Sequence, residues 1–98
     1  MSISIKILHK GDVLTFSGKY HGSVGFFFRV ECDECAFKVE RGFRYLHPEK
    51  VETMCGADEA VVTYELVPLK CGISRIAVIS DFQGKIIQRV THTVIVLP

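Results

Sequence analysis

Apolar and polar residues alternate along this chain in short runs, and each run ends in glycine, proline or an acidic pair. Ile3, Ile5 and Ile7 alternate with Ser2, Ser4 and Lys6. Cys35, Phe37 and Val39 alternate with Ala36, Lys38 and Glu40. Val62, Tyr64 and Leu66 alternate with Val61, Thr63 and Glu65. Successive side chains of a strand point to opposite faces, so a period of two predicts sheets with one buried face.

Seven strands follow from this pattern: Ser2–His9, Val13–Tyr20, Val24–Glu31, Cys35–Leu46, Ala60–Val67, Ile73–Asp81 and Lys85–Leu97. Gly11-Asp12, His21-Gly22-Ser23, Cys32-Asp33-Glu34, Cys71-Gly72 and Gln83-Gly84 mark turns between them, and Pro68 stops the fifth strand. Leu14, Phe16 and Tyr20 share a face, as do Phe26, Phe28 and Val30, and in the last strand Ile86, Val90, Val94 and Val96. Gly42 predicts a bulge or a break in the fourth strand. His47 to Gly56 reads equally as a short helix, with Pro48 in its first turn and Gly56 past its end, or as a loop crossing between sheets.

Seven short strands at near-regular spacing predict one domain over residues 1–98, an all-β, immunoglobulin-like antiparallel β-sandwich. The tryptophan of the antibody signature is missing, and a small closed barrel is the other all-β solution.

The stretch Val67-Pro68-Leu69-Lys70-Cys71-Gly72, the Arg75-Ile76 pair after it and the valine-rich closing strand resemble the carboxy-terminal immunoglobulin-like domains of transglutaminases. Cys35-Ala36-Phe37-Lys38-Val39-Glu40-Arg41-Gly42 is similar to a strand of the same domains. Those domains lack the family's Cys-His-Asp site, so the resemblance implies a non-catalytic module and carries no site residues across. Cys35 to Val39 and Arg44-Tyr45-Leu46-His47-Pro48 are also similar to the major sperm protein type of sandwich, which implies a site for short peptides or for another copy of the chain.

Twelve basic residues against eleven acidic ones leave a net charge of +1, with no long-range pull toward nucleic acid or an anionic membrane. Arg29, Lys38, Arg41 and Arg44, read as a group on two adjacent strands beside Phe27 and Tyr45, are diluted by Glu31, Asp33, Glu34 and Glu40 and predict a solvated face. The chain has no basic start with a continuous apolar stretch, and its apolar runs stop at four residues. A cytoplasmic location is expected if the chain is the natural product.

Cys32 and Cys35 form a C-x-x-C pair, the candidate for a zinc-stabilised domain, but Cys55 and Cys71 supply no second pair. The carboxylates of Asp33 and Glu34 oppose thiolate formation and a redox role. His9, His21, His47 and His92 are scattered, and His92 falls on the face of Val90 and Val94 as a core residue. No nucleophile elbow or phosphate loop appears, so no catalytic residue and no cofactor are expected.

The sharper signal is surplus apolar surface. Phe26, Phe27 and Phe28 cannot all point inward from one strand, so Phe27 points outward, and Val61 and Ile95 pose the same problem. These three are the candidate interface residues, joined in one patch if their strands are neighbours. The expected role is a non-catalytic module for protein–protein interaction or self-association; the alternatives are an accessory domain of a larger, transglutaminase-like enzyme and the zinc-stabilised binding domain.

Overall fold

In a computed structural model, residues 3–50 and 58–98 are described. The strands are β1 (Ile3–His9), β2 (Leu14–His21), β3 (Phe26–Glu31), β4 (Phe37–Tyr45), β5 (Glu59–Pro68), β6 (Gly72–Phe82) and β7 (Lys85–Leu97). Their order along the hydrogen-bonded ladder is β1-β7-β6-β3-β2-β5-β4. β2 and β3 pair only at His21 and Phe26. There the ladder folds over into two layers, β4-β5-β2 and β3-β6-β7-β1. Phe37, Leu66, Leu14 and Phe16 of one layer pack with Ile76, Val94, Val96 and Val30 of the other. This is the β-sandwich that the alternation predicts, and among the described residues its ladder ends on two free edges rather than closing into a barrel. One pair departs from the antiparallel rule: β1 runs parallel to β7.

Gly18 shows how closely the layers meet. A Cβ at this position would lie 2.1 Å from the ring of Phe28 on the opposite layer. Glycine therefore makes the aromatic packing possible. The Phe16 and His92 rings, from opposite layers, lie 5.1 Å apart.

Three sequence expectations are corrected. In β1 Ile5 and Ile7 face solvent, 66% and 63% exposed, and Leu8 packs against the core. Lys6 and Leu8 stand in register with Val94 and Val96 of β7, so the even-numbered side chains share the buried face. A charged side chain turned inward on an edge strand also blunts that edge. β4 runs through Gly42 without a break, in register with Thr63. The bulge lies instead between β6 and β7, where Ser80 pairs with Gln88 but Asp81 with Ile86. The skipped residue turns Ile86 onto the face opposite Val90 and Val94, and it is exposed.

Pro48–Lys50 forms one turn of 3₁₀ helix. Residues 51–56 of the segment read as helix or loop, Cys55 among them, lie outside the described residues. No helix of the described residues is long and apolar enough to cross a membrane.

Candidate protein-binding surface

Three connections meet at one end of the sandwich. The register of β2 with β3 and β5, and of β3 with β6, brings together the β2–β3 turn, the two described ends of the β4–β5 connection and the β6–β7 hairpin. The β2–β3 turn is Gly22-Ser23-Val24-Gly25. Its three-residue 3₁₀ turn closes with Gly25 in the left-handed region, φ 79°, and the Gly25 N–H donates to the Gly22 carbonyl. A side chain at Gly25 would also press on the backbone of Gln83 at 3.3 Å. Gln83 and Gly84, at φ 51° and 81°, make the two-residue hairpin whose twist matches its strands.

Hydrogen bonds tie these connections together. Gln83 N–H donates to the Gly25 carbonyl at 2.8 Å. The Ser23 N–H and hydroxyl donate to the two oxygens of Asp58 at 2.7 and 2.6 Å. His21 Nε2 stands 3.4 Å from the same carboxylate. The Ser23 hydroxyl holds the Asp58 carboxyl below its ordinary pKa, with the Ser23 N–H and His21 adding to the effect. Leu46 N–H donates to the Glu59 carbonyl and closes the base of the β4–β5 connection. The β2–β3 turn thus sits between the other two and is bonded to both.

The end so formed carries apolar side chains in solvent: Val24, Phe27, Leu46 and Phe82 are exposed. Behind them runs a chain of edge-to-face rings. Phe27 meets Tyr20 at 5.5 Å, Tyr20 meets Phe43 at 4.9 Å, and Phe43 meets Tyr45 at 4.8 Å. Edge-to-face contact is the favoured geometry for such pairs. Phe27 is therefore 43% exposed yet held by its neighbours.

The three candidate interface residues occupy three separate surfaces. Phe27 belongs to the loop-bearing end. Val61, half-buried, stands between Lys19 and Arg44 on the outer face of the β4-β5-β2 layer. Ile95, also half-buried, stands between Ile7 and Ile73 on the outer face of the other layer. The alternation could not place Tyr20, Phe43 and Tyr45 beside Phe27, because that requires knowing which strands flank β2.

The basic group is also dispersed. Arg29 lies on β3, bonded to Asp81, whereas Lys38, Arg41 and Arg44 lie on β4, which is not its neighbour. Lys38 is 3.6 Å from Glu40 and Lys19 3.5 Å from Glu59.

Cys32, Cys35 and Cys71 are free and lie at the opposite end, in the β3–β4 and β5–β6 connections. Cys32 is half-buried and Cys35 exposed. Burial, then Glu34 and Asp33, pushes the Cys32 thiol up, away from the thiolate that a metal needs. Among the described residues no group of three or more His, Cys, Asp or Glu side chains is placed to hold a metal ion.

No protein-family model matches the chain, and no curated protein matches it. Among solved structures it is similar to the crystal structure of the cysteine protease inhibitor EhICP2 from Entamoeba histolytica, with a TM-score of 0.67 and 19% sequence identity over 97% of each chain. At that identity the likeness speaks for the fold.

Proposed function

We propose that this chain is a non-enzymatic protein-binding module, that it presents its three-loop end to a concave partner, and that the partner is a cysteine protease. The observation that carries the reading is the bonding of the β2–β3 turn to both neighbouring connections beneath exposed Val24, Phe27, Leu46 and Phe82. Apolar side chains on a pinned end have little freedom left to lose on docking. Aromatic anchors dominate interface energetics where they enter a pocket. Enzyme active sites are clefts, and loops at one end of a sandwich are suited to entering one. The likeness in fold to a cysteine protease inhibitor supports a cysteine protease as the partner class.

The test is inhibition kinetics with a panel of cysteine proteases, using the wild-type chain, Phe27→Ala and Ile73→Ala. Ile73 lies at the opposite end and is exposed, so its variant serves as the control. The reading expects inhibition that weakens at least about tenfold in Phe27→Ala, the size of a hot-spot truncation, and is unchanged in the control.

A further inference from the structure

β4 has β5 on one side and, among the described residues, an open edge on the other. After Phe37 every one of its side chains is exposed. Gly42 lies one residue past its middle. Glycine inside a strand marks a bulge, an unusual backbone angle or the close approach of another chain. Gly42 makes no bulge: Arg41, Gly42 and Phe43 pair in step with Tyr64, Thr63 and Val62. It is not among the residues at positive φ. A Cβ there would meet nothing nearer than the Thr63 carbonyl oxygen at 3.8 Å, an ordinary contact. The chain itself does not need glycine at this position, and a glycine leaves both faces of the strand clear there for a neighbouring chain.

We infer that β4 is a self-association edge, pairing antiparallel with β4 of a second copy about a two-fold axis at Gly42. That register sets Gly42 against its own copy, Arg41 against Phe43, Glu40 against Arg44 and Val39 against Tyr45, each pair occurring twice. The charges are self-complementary, as an isologous interface requires. Glu40 faces Glu65 across β5, like charges directly opposed, with Lys38 as its cation at 3.6 Å. Arg44 faces Val61 and has no ion pair among the described residues. The second copy supplies a cation to Glu40 and an anion to Arg44. Arg41 already lies 5.5 Å over the Phe43 ring, and the copy adds another guanidinium beside it.

Neighbouring registers are worse. Centring on Glu40 or Arg41 sets like charges together. Centring on Phe43 brings no opposite charges together. Centring on Val39 pairs Lys38 with Glu40 but leaves Phe43, Arg44 and Tyr45 without a facing strand. Charges scattered along an edge deter pairing in general; here the Gly42-centred register alone joins opposite charges while keeping Phe43, Arg44 and Tyr45 paired. The dimer extends the β2-β5-β4 layer to six strands and points the two loop-bearing ends in opposite directions. It stands independently of the protease reading.

The experiment is sedimentation velocity from about 10 µM to about 1 mM, a range that reveals a modest interface. The samples are wild type, Glu40→Lys, Arg44→Glu, the double swap, and an equimolar mixture of the two single variants. Circular dichroism establishes that each is folded. Wild type is expected to dimerise, each single variant to dimerise at least about tenfold more weakly, and the double swap to recover. The mixture is expected to form heterodimers, because both Glu40–Arg44 contacts then join opposite charges. A wild-type chain that stays monomeric throughout overturns the inference, whatever unrelated peptide the edge binds. So does dimerisation that the single variants leave unchanged, or a mixture that fails to associate while wild type does.

Discussion

Both donors of Ser23, its backbone N–H and its hydroxyl, rest on the one carboxylate of Asp58. The contact joins the β2–β3 turn to the residue that precedes β5, the strand paired with β2, 35 residues away in sequence. It is a surface contact whose effect is to hold a turn still, and the proposed binding end depends on that.

Removing the hydroxyl is expected to show this directly. In Ser23→Ala the Asp58 carboxyl should titrate closer to its ordinary range, since the largest cause of its lowered pKa is gone. The folded-state pKa is the lower one, so the contact stabilises above the ordinary carboxylate range and is lost as pH falls through the folded value. Carboxylate NMR titration reads the shift, and amide exchange at Ser23, Val24 and Gly25 should quicken in the variant while the strand amides keep their protection.

Gly18→Ala tests the closeness of the layers. The added methyl meets the Phe28 ring at 2.1 Å, and Phe28 is itself buried. Overpacking of this kind is expected to cost about 1–3 kcal/mol, measured as a fall in the urea midpoint at unchanged slope.

The facing of β1 is tested by a pair of variants. Ile5→Ser replaces an exposed side chain and should move stability by less than about 0.5 kcal/mol. Leu8→Ala removes a partly buried one that touches the core and should cost about 1–2 kcal/mol. The reverse ranking would mean that β1 presents its isoleucines to the core.

His92 gives the interior a pH dependence. Burial, and then the charge of Lys6, lowers its pKa from the ordinary 6.5, and among the described residues its Nδ1 finds no hydrogen-bond partner. Folding therefore favours the neutral ring. Its contribution is complete above about pH 6.5 and is lost as pH falls from there through the folded value. Urea midpoints for wild type should drop across that window, and those of His92→Leu should drop less.

Much of the fold was legible because the inward positions of the central strands alternate cleanly. Val62, Leu66, Ile76, Val94 and Val96 are all buried. β1 misleads for a physical reason: an edge strand needs only one side chain, Leu8, in the core, and its apolar beat falls on the open face. Ile86 misleads because a bulge reverses the parity of a strand, and no local residue type announces it. Gly42 reads as a breaker when only its own chain is considered. Phe27 was recognisable as outward-pointing from the triplet alone. Its ring partners were not, since Tyr20, Phe43 and Tyr45 converge only through the pairing of β2, β5 and β4. The Val67-Pro68 and Cys71-Gly72 features are the end of β5 and the start of β6, punctuation that sandwiches of this type share.

The most direct measurement is the titration of a panel of cysteine proteases against the isotope-labelled chain, followed by amide chemical shifts. Binding through the loop-bearing end predicts saturable shifts concentrated at Ser23, Val24, Phe27, Leu46 and Phe82, with inhibition in parallel and both lost together in Phe27→Ala. Shifts confined to the opposite end around Cys32, Cys35 and Cys71, or no complex with any member of the panel, would contradict it.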